Sequence, residues 1–573
     1  MSDPSTGTVV SVNGPVVDVE GLHDVALAEL LDIGVDRLPA EAVTIRDGVL
    51  TAQVYAYTGG LSAGATAHAL GRPLSVALGP GLLGGVFDGT MRRLDKSADF
   101  VGFEPAARSD QTWNFTRRAT IGQQLRPGDV LGVIRETAAI EHRLLVPPNV
   151  RGTLTWIASD GPHTSEDRLA VIDDAEVGFS NFWPVRKPRP VRRRIPASIP
   201  LVTGQRVLDL LYPIAKGSTA CVPGGFGTGK TMLLQQIAKW SDADVIVYVG
   251  CGERGNEMAD VLDELPRLVD PRTGKALMDR TIVIANTSNM PVMAREASIY
   301  SGVTVAEYFR DMGYHAIVIA DSTSRWAEAL REFASRTGQL PAEEGYPATL
   351  SSALAAFYER AGMVETLNGH PGSVTVIGAV SPPGGDFTEP VTAHTRRFVR
   401  SLWSLDRDLA YARHYPAVGW TDSFSRDAER LGPWQVAHGD PAWSARRDQA
   451  LALLAEGDRL RSMAELVGSS ALPDRERVVL KSAELVRTAV LQQSALSPND
   501  AYCAPAKQAA LMDSVLQVHQ RCLDLVHTGV PMSLIEDVDM STLSRAKDAG
   551  PSDDTTAASK ARDGVIAQLE VLR

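Results

Sequence analysis

Cysteine is scarce in this chain of 573 residues: Cys221, Cys251, Cys503 and Cys522 are scattered, with no CxxC pair and no His-rich spacing. That excludes a disulfide framework and a zinc finger, and it fits a reducing compartment. No stretch reaches 18 uninterrupted apolar residues, so the chain is not expected to cross a bilayer. The opening MSDPSTGTVVSVNG lacks the basic start and apolar centre of a secretory leader. A basic excess is missing as well. Lys and Arg number 57 against 69 Asp and Glu, a formal net charge of −12, which argues against a broad nucleic-acid surface. The plainest basic run, RKPRPVRRR from Arg186 to Arg194, is short and proline-broken, and reads as a solvated linker or an interface, with anion binding as the lesser alternative.

What is present describes an ordinary globular protein of several domains, with 44% hydrophobic and 22% charged residues in a chain too long for one core. From Gly7 to about Arg72, short apolar runs cut by glycines predict closely spaced strands in a small β-barrel or sandwich. A second β-rich stretch follows from about Arg93 to Pro184, and FWPVRKPRPVRRRIP then reads as an extended linker. After Pro200 apolar strands alternate with amphipathic segments, the pattern of a parallel sheet with crossover helices. The strands are predicted at Ala220–Val222, Val245–Val249, Ile282–Ala285, Ala316–Ala320 and Val374–Ala379. The Arg-rich Thr395–Arg413 reads as a helix with a solvated or intersubunit face, and the chain looks helical from about Gly432 onward.

The chemistry concentrates in VPGGFGTGKTMLLQQIAKW. Gly224, Gly225, Phe226, Gly227, Thr228, Gly229, Lys230 and Thr231 satisfy GxxxxGK[ST] between a predicted strand and a predicted helix. A backbone that bare lets amide N–H groups approach phosphate oxygens, and the helix N-terminus adds partial positive charge. Lys230 is the candidate for bridging the β- and γ-phosphates of ATP or ADP, and Thr231 for holding Mg²⁺; Met232 continues the nucleotide-binding segment. Beyond the second strand, YVGCGERGNEM supplies Glu253 as a candidate to orient water and Arg254 as a candidate γ-phosphate contact. Cys251 beside them reads as a small packing residue. In YHAIVIADSTSRW a buried strand runs into Asp321, a candidate to bind the metal through water. Arg325 four residues on is placed to reach a phosphate or a carboxylate such as Glu257. SPPGGDFTEP, from Ser381 to Pro390, reads as a rigid loop able to contact nucleotide or a neighbouring subunit.

Together GGFGTGKT, YVGCGERGNEM, NTSNMPVMAREASIYSG, ADSTSRWAEALREF and GAVSPPGGDF resemble the catalytic A subunits of V/A-type rotary ATPases. The resemblance takes in LGPGLLGGVFDG, LVPPNVRG and FWPVRKPRP and runs to about Trp420. The stretch between Arg93 and Pro184 resembles the insertion that sets A subunits apart from F-type β subunits and secretion-system ATPases. The fold implied is an N-terminal β-barrel (1–72), a connector with the β-rich insertion (about 93–184) and Pro-rich linker (73–190), a RecA-like P-loop core (191–431) and a C-terminal helical domain (432–573).

The activity implied is MgATP hydrolysis or synthesis with Lys230, Glu253, Arg254, Asp321 and Arg325 in the nucleotide site. The partners implied are non-catalytic B subunits, three of each chain, that supply an arginine finger. Central and peripheral stalks and, indirectly, a membrane rotor complete the set, at the cytoplasmic face of the membrane and without nucleic acid. Tyr415, in HYPAVGW, matches a position that packs on adenine. Two departures stand out: Leu496 occupies a position where the family has an aromatic, and Thr228 one where eukaryotic members have cysteine, so thiol regulation through the loop is not expected. Alternatives are a non-catalytic ring subunit, which has no need of Lys230, Thr231 and Glu253 together, a hexameric nucleic-acid translocase, which the acidic charge disfavours, and a protein-export ATPase, which the insertion disfavours.

Overall fold

The computed structural model describes residues 6–94, 112–270 and 273–573. The first five residues and the start of the expected insertion, 95–111, lie outside the described residues. The chain forms two compact units. One comprises Met1–Pro196, Ala243–Ala379 and Ala393–Thr395; the other comprises Ala197–Asp242, Val380–Thr392 and Arg396–Arg573.

The first unit begins with a closed six-stranded barrel, its strands ordered around the wall as Thr6–Asn13, Val16–Glu20, Val49–Val54, Leu38–Arg46, Glu29–Ile33 and Thr66–Pro73. Period-two alternation along VVSV and VVDV turns Val9, Val17 and Val19 inward against Leu31, Ile33, Ala52 and Val54. Closure leaves no exposed sheet edge. Two four-stranded antiparallel sheets make up the described part of the insertion, and they share one core through Phe115, Leu131, Ile134, Leu154, Leu169 and Phe179.

The rest of this unit is a parallel sheet: Val86–Phe87, Thr281–Thr287, Val245–Glu253, His315–Asp321 and Pro371–Val380 lie side by side in that order. Its strands are buried runs of Val, Ile and Ala because helices cover both faces of such sheets. The helix Val292–Asp311 is buried along nearly its whole length.

The basic run is not a solvated linker. Asn181–Pro184 pairs with Ser75–Leu78, and Arg193–Ile195 pairs with Gly362–Glu365. Between them Arg186 bridges Glu41 of the barrel and Glu296 of the Val292–Asp311 helix at 2.7 and 2.5 Å. Carboxylates distant in sequence claim guanidiniums that a local reading assigns to water.

The second unit carries the strand Thr219–Pro223 and the helix Lys230–Trp240, followed by a helical C-terminal region with Trp443–Val467, Asp474–Leu485, Pro505–His527 and Thr556–Glu570 as its main helices. Pro505 sits at the first helical position, where its missing N–H and fixed φ suit the start. Thr395–Arg413 is not one helix. It breaks into Pro390–Phe398, a strand Ser401–Leu402 parallel to Ala220–Cys221, and Arg407–Tyr411. Trp403 is fully buried, its indole N–H donating to the Tyr212 carbonyl, so sheet pairing and a buried indole outweigh the i,i+4 charge pattern.

Candidate active site

In the second unit the strand Thr219–Pro223 delivers the chain into Gly224–Gly229, and the helix starts at Lys230. The loop is drawn tight from within, since the buried Thr228 hydroxyl donates to the Gly225 carbonyl at 2.8 Å. A Cβ on Gly224 would meet the Thr228 Oγ1 at 2.7 Å and the Leu405 Cβ at 2.9 Å, so this position has room for glycine alone. The Gly224 N–H donates to the Val380 carbonyl at 3.1 Å, and the Lys230 ammonium donates to the Ser381 hydroxyl. Ser381 opens the SPPGG loop, which therefore stands beside the phosphate-loop lysine.

Thr231 is partly buried, Met232 is half exposed and Phe226 is 90% exposed. Tyr415 lies against the loop: a Cβ on Gly229 would be 3.2 Å from its Cε1. Leu496 stands 93% exposed.

In the first unit Glu253 ends the strand Val245–Glu253, its carbonyl accepting from the Ser288 N–H at 2.9 Å. Gly252 holds φ at 70°, and a Cβ there would sit 2.8 Å from the Arg325 Cβ and 3.0 Å from the Arg295 Cδ. The turn that aims Glu253 is thus clamped between two arginines. Asp321 is 1% exposed, sits beside Gly250 in the ladder and accepts from the Tyr248 hydroxyl at 3.4 Å. Burial first, then the negative charge of Asp321 and Glu253, holds the Tyr248 phenol well above its usual range, so it stays a proton donor.

Arg325 pairs with Glu328, one turn along its own helix, at 3.0 and 2.9 Å, rather than with Glu257. This hydrogen-bonded pair is the main reason its guanidinium is held above its ordinary value, with Glu253 and Glu257 adding smaller electrostatic support. Arg254 approaches Glu257 at 3.9 Å on an open surface. Cys251 is buried with its thiol pushed up to about 12, chiefly by burial, and its Sγ donates to the Arg295 carbonyl at 3.5 Å; it packs and is no nucleophile.

Each unit thus assembles its own set. Lys230, Ser381, Tyr415 and the glycine loop meet in one, and Glu253, Asp321, Arg325, Tyr248 and Arg295 meet in the other. Tyr248 and Arg295 were not singled out from the sequence. A tyrosine within VIVYVG reads as a core aromatic, whereas Arg295, within a buried helix, carried the usable signal of a charge in an apolar run. No group of three or more His, Cys, Asp or Glu side chains forms a metal cage among the described residues.

Comparison with known proteins matches four family models along the chain. They are the ATP synthase alpha/beta family beta-barrel domain at 9–71, the barrel-sandwich domain at 104–186, the nucleotide-binding domain at 204–425, and the C-terminal domain of V and A type ATP synthase at 433–535. The V-type ATP synthase alpha chain of Nitrosococcus oceani is 48% identical over 559 residues, 94% of this chain and 93% of its own. The A subunit of the A-type ATP synthase from a Desulfurococcus species is 48% identical over 543 residues, 92% of this chain and 93% of its own. The V-type ATP synthase alpha chain of Anaeromyxobacter dehalogenans is 50% identical over 539 residues, 93% of each chain.

Proposed function

Because the chain belongs to the ATP synthase alpha/beta family, among the A subunits of the V- and A-type enzymes, we propose that it is the catalytic subunit of a V/A-type rotary ATPase, coupling MgATP hydrolysis or synthesis to transmembrane H⁺ or Na⁺ transport. The observation that carries this reading is 48% identity to a V-type alpha chain over 94% of this chain, the insertion and the V/A-specific C-terminal domain included. An RNA translocase or an export ATPase has no reason to share them.

The amides of Gly224–Gly229 and the Lys230 ammonium receive the phosphates of ATP, and Thr231 and Asp321 are the residues that would hold Mg²⁺. The metal supplies neutralisation of charge on the β- and γ-phosphates. Glu253 accepts a hydrogen bond from the attacking water and orients it in line, while Lys230 and Arg254 stabilise charge on the transferring phosphoryl group. Arg325, locked to Glu328, keeps the Gly252–Glu253 turn in place and presents its charge toward Glu253. Adenine packs on Tyr415; the exposed Leu496 adds apolar contact in place of an aromatic stack.

No described helix is long and apolar enough to cross a membrane, and ion transport belongs to other chains of the complex. We assign three copies to a ring with three non-catalytic B subunits at the cytoplasmic face, joined to the rotor by central and peripheral stalks. Each B subunit contributes the arginine finger. Such a finger is worth about 10³–10⁵ in rate, roughly 4–7 kcal/mol of barrier, so the isolated chain binds nucleotide but turns over slowly.

Glu253→Gln tests the assignment. The amide preserves shape and loses the charge that orients water, so ATP binding persists while hydrolysis in the reconstituted complex collapses. Near-normal turnover in that variant removes Glu253 from the mechanism, and fast turnover by the isolated chain removes the shared finger.

A further inference from the structure

Arg189, in the middle of the proline-broken basic run, has no part in nucleotide chemistry. It is 6% exposed. Its Nε donates to Asp311 at 2.6 Å, its guanidinium lies 4.9 Å from the Trp183 ring centroid and 5.5 Å from that of Tyr308, and its buried Nη1 has no hydrogen-bond partner. A charged donor left unsatisfied away from water is costly and is retained where something can satisfy it.

The charge count around it points the same way. Arg360 pairs with Glu307 at 2.7 Å, and Arg310 pairs with Asp311 at 2.7 Å and approaches Glu307 at 3.7 Å. Three buried guanidiniums, Arg189, Arg310 and Arg360, therefore share two carboxylates. The next carboxylate, Glu136, is occupied by His142 at 2.8 Å and by the Gly81 N–H at 2.6 Å. His142 also holds the Tyr308 hydroxyl at 2.8 Å, which fixes that ring in place.

Arg189, Tyr308 and Asp311 line a cavity of about 270 Å³ together with residues of the inserted β-sheets, the Pro147–Val150 turn, Phe182 and Leu367. Val150 and Phe182 give the cavity apolar surface. A compact cavity that joins apolar walls to a buried cation with a spare donor has the make-up of a small-molecule site.

We propose that this cavity binds a small organic oxyanion, a carboxylate or phosphate monoester on a compact apolar body. The oxyanion accepts a hydrogen bond from the Arg189 guanidinium, which lines the cavity, and offsets the excess positive charge, and the body lies against Val150 and Phe182. None of its lining residues belongs to the phosphate loop, and nothing in the nucleotide chemistry requires it.

Calorimetric titration of the full-length chain with benzoate, phenyl phosphate and inorganic phosphate tests this, in a Lys230→Ala background that suppresses phosphate binding at the glycine loop. Benzoate and phenyl phosphate are expected to bind saturably at one site, and inorganic phosphate, which has no apolar body, more weakly. Arg189→Met removes a charge-assisted hydrogen bond and is expected to weaken both aromatic probes about tenfold to a hundredfold. Val150→Trp leaves the Asp311 ion pair alone and fills the apolar end, so it abolishes binding even where Arg189→Met fails to fold. No saturable binding of either aromatic probe up to about 10 mM, beyond the weak end of small-ligand affinity, overturns the proposal. So does binding that survives Val150→Trp, or inorganic phosphate binding as tightly as phenyl phosphate.

Discussion

Gly252→Ala is the sharpest probe of how the fold aims Glu253. The backbone there has φ at 70°, a left-handed conformation that costs an alanine about 1–2 kcal/mol. The added methyl would lie 2.8 Å from the Arg325 Cβ and 3.0 Å from the Arg295 Cδ. The first neighbour is rigid, because Arg325 belongs to the helix Thr323–Arg336 and its Cβ moves only with the backbone. Overpacking of this kind costs roughly 1–3 kcal/mol, so the total is about 2–5 kcal/mol concentrated on one turn. The turn relieves it by moving, and Glu253 is the next residue. A displacement of about 1 Å at a positioning group costs on the order of 10² in rate, about 2.7 kcal/mol of barrier, which the strain is large enough to drive.

The assay is kcat of the assembled complex alongside nucleotide affinity, with Gly255→Ala as the control. Gly255 begins the next helix, and a Cβ there has nothing within 4 Å, so alanine is expected to be neutral or slightly stabilising. The expected result is a hundredfold loss of kcat in Gly252→Ala with ATP affinity retained, and normal kcat in Gly255→Ala. A Gly252→Ala enzyme within twofold of the original, or equal losses in both variants, refutes the reasoning.

Lys230→Ala removes the ammonium from the phosphate loop and is expected to weaken ATP binding about tenfold to a hundredfold by fluorescence titration; unchanged affinity contradicts the phosphate-loop assignment. Arg206 and Asp500 form an ion pair at 2.6 Å with both side chains fully buried, so Arg206→Met strands a buried carboxylate and costs about 3–5 kcal/mol, read as a lower denaturation midpoint. Burial pushes the His414 imidazole down from its usual 6.5 to about 4, with Lys547 adding to the effect. The unfolded chain therefore takes up the proton first: this stabilisation is complete above pH 6.5 and drains away as pH falls toward 4, by about 3 kcal/mol at about 1.4 kcal/mol per pH unit. His414→Asn is expected to flatten the stability profile across that window, and an unchanged acid limb counts against it.

Much of the architecture was legible without coordinates, for reasons that can be named. The strands predicted at Val245–Val249 and Ile282–Ala285 appear as Val245–Glu253 and Thr281–Thr287, because a strand buried on both faces needs an unbroken apolar run that few other structures tolerate. Only their ends were missed. Gly250 and Gly252 look like turn residues in the sequence, yet the ladder continues past them, since the neighbouring strands supply hydrogen bonds that a one-dimensional reading does not contain. Thr395–Arg413 failed for the same reason: its charges are spaced for a helix, while Ser401–Leu402 is claimed by Ala220–Cys221, far away in sequence.

Residue order alone therefore determined the local chemistry of this protein. It set the bare glycine loop before Lys230, the acids Glu253 and Asp321 at strand ends, and the alternation that closes the barrel, because each depends on neighbours a few positions apart. Tertiary structure alone decided which distant group each charge meets. Arg186 joins Glu41 to Glu296, Tyr248 donates to Asp321, and Arg189 pairs with Asp311. Coulomb attraction and burial act through space, and partners more than a hundred residues apart in the chain become neighbours only once the sheets and helices have packed.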